Sequence, residues 1–418
     1  MALLRPFRAL CPRPEFASQV ASVPYDVVDR AEAAALAAGN PLSFLHVVRP
    51  DIDLPAPTDP TDPAVYAAAA AALERLVASG VMAEDGGEAL YVYRLTWEGR
   101  SQVGVVGCCA VDEYDAGRIR RHEKTRPEKE EDRTRLALAA RAHTGPVFLA
   151  YRGRDEIDRP VAAALESAPP LYDFVAADGV AHALWRVGGG DELAAAFRAV
   201  PDLYVADGHH RAAAASRARA ALRAASGAGG AAGEADFFLA VLFPGKQLRI
   251  LPYNRVVADL NGLSVRAFLA RLGEAFAIDD GGPPDSGSPP PGGATEVAAR
   301  LAMYLDGRWY GLTASPERQR RDDPVASLDA AVVQERVLGP LLGIDDPRTS
   351  DRIEFVGGVR GIAELVRRVD ARPGAVAFAL RPVSVEQLMA VADAGRELPP
   401  KSTWFEPKPR SGLLVHRC

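Results

Sequence analysis

The sequence predicts an α+β protein organised on a mixed sheet, and three local patterns predict it. Tyr91 to Trp97 and Gln102 to Val111 are two β-rich runs around Glu98-Gly99-Arg100, the pattern of a hairpin. Leu203 to Asp207 is a short β-rich run that meets Gly208 and passes directly into an alanine-rich stretch, which reads as strand, turn and helix. Apolar runs at Val147 to Tyr151 and Phe237 to Phe243 add strands between helical segments.

Taken in order, the chain opens with proline-punctuated turns and an alanine-rich helix over 30–38. The apolar run Ser43 to Val48 is expected to be a strand, and 64–79 a second helix. After the hairpin, 118–135 is intensely charged. Pro127 inside it argues that His122 to Arg126 is a loop leaving the sheet, and 136–142 is expected to be helical. The glycine and alanine stretch 224–235 reads as a flexible loop. Phe237 to Phe243 and Leu248 to Val257 are expected to pair through Pro244 to Gln247. A helix is expected at 264–275, and the tract 279–295 is too rich in Pro and Gly to pack. The last third mixes helices (328–341, 361–369, 385–394) with short strands (302–313, 375–381). Three segments are expected, 1–100, 101–260 and 261–418.

The chain has 418 residues, enough for a substantial core, with 48% hydrophobic and 25% charged residues. Its net charge of −6 gives no global drive toward nucleic acid, though it allows a local basic patch, and does not dictate the partner; nucleic acid is not expected and a small-molecule substrate is. Four cysteines, two of them adjacent at Cys108-Cys109, make neither a disulfide framework nor a CxxC knuckle. No apolar run reaches spanning length and the first residues do not resemble a signal peptide, so a cytoplasmic location without membrane contact is expected. Oligomeric state is not encoded in any pattern. Walker A, GxGxxG, GxSxG and HExxH motifs do not occur.

Asp207-Gly208-His209-His210-Arg211 is the sharpest chemical segment. A helix that starts directly after a strand offers its first free N–H groups to an anion, Gly208 permits close approach, and Arg211 can bind a phosphate. His209 or His210 can donate a hydrogen bond or move a proton, and Asp207 either caps the helix or ligates Mg²⁺. In the charged run, Glu123 is a candidate general base, with Lys124, Arg126 and Arg133 able to neutralise phosphate. The competing reading is a solvated helix face. Asn254 and the Lys401-Ser402-Thr403 segment are weaker candidates for lining a substrate site.

RPFRAL, VPYDVV, NPLSFLHVVRP, RRHEKTRPEKEEDRT, HTGPVF, LYVADGHHRAAAA, ILPYNRVV, DRIEFVGG and PPKSTWFEPKPRSGL, spread over nearly the whole chain, resemble the domain-of-unknown-function family 1015. The DGHHR turn is in addition similar to the phosphate-binding turn of the ParB/sulfiredoxin superfamily. That second resemblance implies a ParB/sulfiredoxin-like core over 101–260, elaborated by α/β segments on both sides, with a nucleotide (ATP or ADP) and Mg²⁺. His122-Glu123 is similar to the His-Glu of the free-serine-kinase branch, which would make Glu123 the base toward a serine hydroxyl, with His122 beside it. Sulfinic-acid reduction is disfavoured, since His209 stands where a nucleophilic cysteine would be. The expected function is phosphotransfer on a small hydroxylated metabolite, serine or phosphoserine, in either direction. The alternatives are a non-catalytic module that binds CTP or ATP, and, behind it, a nucleic-acid-binding protein or nuclease.

Overall fold

The computed structural model describes residues 4–188, 190–226, 233–284, 300–314 and 323–418. They form two compact units, Met1–Leu248 with Pro407–Cys418, and Arg249–Glu406. The expected boundary after residue 100 falls just inside the second strand of one β-hairpin, and the one after 260 falls inside the second unit.

The first unit carries a mixed sheet of nine strands: β1 (Leu4–Arg5), β2 (Leu90–Trp97), β3 (Arg100–Ala110), β4 (Ile119–Arg120), β5 (Val147–Tyr151), β6 (Tyr172–Val175), β7 (Ala181–Val187), β8 (Leu203–Asp207) and β9 (Phe237–Pro244). Their order is β4-β8-β5-β9-β3-β2-β7-β6, with β1 also paired to β3. β8 runs parallel to β4, and β9 parallel to β5; the other pairs are antiparallel. The hairpin β2–β3 forms as expected, with Glu98 and Gly99 at positive φ (49° and 73°), the conformation that a tight two-residue turn requires.

Three helices of this unit matter most: α1 (Pro63–Ala78), α2 (Pro127–Ala140) and α3 (His209–Ser226). Pro127 opens α2, where a missing N–H costs nothing, and Glu128 and Glu130 follow in the first turn. Residues 127–135 of the charged run are therefore helical, and only 121–126 is a loop. Arg217 of α3 pairs with Glu130 and Glu131 of α2. On its other face α3 buries Ala212, Ala213 and Ala215 in a core with Leu149, Val205 and Leu242. Small side chains bring the helix close to the sheet.

The second unit is a fully antiparallel sheet of six strands, β10 (Tyr253–Val257), β11 (Phe276–Asp280), β12 (Arg300–Leu305), β13 (Arg308–Ala314), β14 (Ile353–Gly357) and β15 (Val376–Ala379), in the order β11-β13-β12-β15-β10-β14. Among the described residues no helix is long and apolar enough to cross a membrane.

Several expectations are corrected. Leu45–Val48 is a helical turn rather than a strand, because a short apolar run carries no period that separates the two. β9 does not pair with 250–257: its partners are β3 and β5, while Tyr253–Val257 lies between β14 and β15. Residues 302–313 divide into β12 and β13 around Asp306-Gly307, both at positive φ. Residues 227–232 and 285–295, from the two stretches expected to be unstructured, lie outside the described residues.

Candidate active site

Parallel pairing of two strand ends builds the site. Leu203 sits opposite Ile119 and Tyr204 opposite Arg120, an offset of 203 − 119 = 84. Continued past the strands, the same offset carries the 122–126 loop along the turn into α3. The main-chain N–H of Arg126 donates to Nε2 of His210, 84 residues on, at 3.2 Å. The charged loop thus lies on the first turn of α3, and Glu123 Oε2 stands 4.0 Å from Nδ1 of His209.

A bulge shapes the turn. Val205 faces Leu149 and Asp207 faces Phe148, so Ala206 is an extra residue. Bulges of this kind re-aim the following side chain. Here the side chain is Asp207: Oδ1 accepts from Lys408 Nζ at 2.7 Å and Oδ2 from Arg211 Nη2 at 2.6 Å. Burial pushes the Asp207 carboxyl up, but Lys408 and Arg211 override it and hold the group well below the usual carboxylate range. One carboxylate against two cations leaves net positive charge beside the helix N-terminus.

Gly208 has φ +94°, and a Cβ there would lie 2.8 Å from Nε of Arg211. Backbone conformation therefore favours glycine here, and any side chain would also have to displace the guanidinium folded across the turn. Arg211 is not a free phosphate clamp, because Nη1 also donates to the Pro146 carbonyl at 2.8 Å. Among the described residues its buried Nε has no hydrogen-bond partner.

His122 and His209 are both buried, their rings meeting edge to face with centroids 4.5 Å apart. Among the described residues neither ring nitrogen of His122, nor Nε2 of His209, has a partner in good hydrogen-bonding geometry, although the Val205 main chain lies near enough to His122 to favour its protonated form. Burial first, then the neighbouring His209, pulls His122 down to about 3, against Glu123, Asp207 and the nearby Val205 main chain. Burial likewise pulls His209 down to about 3, opposed by Asp207 and helped by His210. Both imidazoles are neutral at ordinary pH. One donor atom from each of His122, Glu123 and His209 falls within 4.8 Å of the others.

Of the other expected residues, Lys124 is exposed, and so is Arg126, whose Nε lies 3.5 Å from Glu128. Arg133 on α2 bonds Asp132 at 2.8 Å and stacks over Tyr25 at 4.0 Å. With Arg211, Tyr25, Thr144, Gly145 and Ser411 it lines a small cavity of about 40 Å³, room for little more than ordered water.

Asn254, Lys401, Ser402 and Thr403 belong to the second unit. There Asn254 is buried and accepts from the Leu380 N–H at 3.0 Å, which is a role in the fold. Ser402 Oγ donates to the Pro399 carbonyl at 2.6 Å, and the Lys401 carbonyl accepts from buried Arg255 at 2.9 Å. Each oxygen of Asp207, the expected possible Mg²⁺ ligand, accepts a hydrogen bond from a cation, Lys408 on one and Arg211 on the other.

Sequence reasoning missed Lys408 as the partner of Asp207, and Tyr25, Gly145 and Ser411 as cavity residues. Only the density of polar and basic residues in Lys408-Pro409-Arg410-Ser411 hinted at them.

The family model described as "Protein of unknown function (DUF1015)" matches residues 4–331. No curated protein matches. Among solved structures, C-terminally truncated SbnI from Staphylococcus aureus aligns at 13% identity over 74% of this chain and 86% of that one, with a TM-score of 0.37. A free serine kinase in complex with AMP aligns at 12% identity over 74% and 91%, with a TM-score of 0.32. A conserved hypothetical protein from Pyrococcus furiosus aligns at 12% identity over 74% and 94%, with a TM-score of 0.33.

Proposed function

The chain belongs to the DUF1015 family, whose description names no activity, and from the chemistry of its own residues we propose that it transfers a phosphoryl group to or from a small hydroxylated metabolite. Serine or phosphoserine is the substrate proposed, with ATP or ADP as the nucleotide. The observation that carries the reading is the position of the Glu123 carboxylate, 4.0 Å from His209 at the start of α3. A base and an anion-receiving helix end are the two parts that phosphoryl transfer needs side by side.

In the forward direction Glu123 takes the hydroxyl proton, the oxygen bonds to the terminal phosphorus, and the bond to the nucleoside diphosphate breaks. The first N–H groups of α3 hold the transferred phosphate. Positive charge from Lys408 and Arg211, in excess over Asp207, lies behind them. Arg126, exposed at the edge of the loop, offsets developing charge. Neutral His209 positions Glu123 rather than competing for its proton. Two cations against the single carboxylate of Asp207 make the turn a poor fit for Mg²⁺, and no step is derived through that ion.

The experiment is incubation of purified protein with serine or phosphoserine and ATP, ADP or no nucleotide, following phosphate transfer. Turnover in one combination is expected; none in all combinations contradicts the reading.

A further inference from the structure

We propose that His122, Glu123 and His209 bind a divalent first-row transition-metal ion. One donor atom from each lies within 4.8 Å of the others, on two segments that the 84-residue register brings together. An ion held at about 2.1 Å by each donor needs donors roughly 3.4 Å apart in tetrahedral geometry. Small rotations of three side chains cover the difference.

Polar groups in a protein interior are nearly always hydrogen-bonded. Here two rings stand together, His122 at 1% and His209 at 5% exposure; among the described residues three of their four nitrogens lack a partner in good geometry, and only the Val205 main chain comes near His122. An ion between them would satisfy one nitrogen of each ring. Glu123, at 35% side-chain exposure, supplies the carboxylate and opens the site to solvent.

Donor chemistry selects the ion. Mg²⁺ and Ca²⁺ take oxygen ligands, whereas two imidazoles and one carboxylate suit Zn²⁺, Mn²⁺, Fe²⁺ or Co²⁺. Three protein ligands leave coordination positions for water or a phosphate oxygen, the composition of a catalytic rather than a structural site. Glu123 would then ligate through one oxygen and retain the other toward the substrate. The inference does not require the proposed activity.

The test uses the whole chain, stripped with a chelator and dialysed. Co²⁺ is titrated while its visible ligand-field bands are recorded, and bound Zn²⁺ and Mn²⁺ are measured by elemental analysis after equilibrium dialysis. One equivalent is expected, with affinity lowered at least about tenfold in Glu123→Gln and in His209→Asn, and unchanged in His46→Asn. Circular dichroism reports folding of each variant, and the partly exposed Glu123→Gln keeps the test decisive if a histidine variant unfolds. Absence of bound ion in the wild type, or affinity unaltered by Glu123→Gln, overturns the proposal. Bound ion without phosphate transfer removes the proposed activity and keeps the site; transfer by protein that binds no ion does the reverse.

Discussion

Lys408 places its ammonium 2.7 Å from Oδ1 of Asp207, a residue 201 positions earlier in the chain. The pair is largely buried, with 8% and 20% of the side chains exposed. Removing Lys408 leaves Asp207 held by Arg211 alone and removes one hydrogen bond between charged groups, at a cost of about 2 kcal/mol. Lys408→Met should lower the unfolding midpoint in denaturant accordingly. Because Asp207 is held below its unfolded value, its stabilisation is present above about pH 4 and is lost as pH falls from there through the folded-state value. In Asp207→Asn that acid-dependent loss should be missing.

Gly208→Ala tests the guanidinium folded across the turn. Gly117 also has positive φ, +75°, but a Cβ there meets nothing within 4 Å. Gly117→Ala should therefore cost only backbone strain, about 1 kcal/mol. Gly208→Ala should cost about 1 kcal/mol more and also weaken the binding of inorganic phosphate, measured calorimetrically. Equal costs and unchanged binding would mean that Arg211 moves aside freely.

His182 gives a pH signature elsewhere in the first unit. Its Nε2 accepts from Arg410 Nε at 3.1 Å, so Nδ1 carries the proton and donates to Tyr93 Oη at 2.7 Å. Burial, then Arg410, pulls its pKa down to about 3, against Asp178. Phe174 covers another side of the ring. Between about pH 6.5 and 3 the unfolded chain binds a proton that the folded chain does not. Stability is thus fully present above 6.5 and falls as pH drops through that window, by up to about 1.4 kcal/mol per pH unit from this residue. Chemical denaturation of wild type and His182→Gln from pH 7 to 4 should show the shallower slope in the variant; equal slopes would contradict it.

What was legible in the sequence was local. The turn after Asp207 announces itself through a β-rich run, one glycine and a run of alanines, and Pro127 marks the end of the 122–126 loop. What was not legible was pairing between distant segments. The 84-residue register that sets Glu123 beside His209 leaves no trace in either segment alone. Phe237–Pro244 and the run after it looked like a hairpin for the same reason: β-rich composition says that a strand forms, not which neighbour it takes. Lys408 was out of reach because a lysine in a polar segment carries no sign of a buried carboxylate far away in the chain. Polarity in a β-rich run marks Asn254, but the run does not show that its side-chain carbonyl oxygen accepts from the distant Leu380 N–H.

The central claim is that the carboxylate beside the α3 turn performs proton transfer. The most direct measurement is phosphate transfer between ATP and serine, or from phosphoserine to ADP or water, in wild type and Glu123→Gln. Nucleotide binding is followed by calorimetry in the same samples. Turnover is expected in the wild type, a fall of at least about a hundredfold in the variant, and nucleotide binding in both. Nucleotide binding in both proteins with turnover in neither would contradict it, and would leave a nucleotide-binding module in which Glu123 is structural.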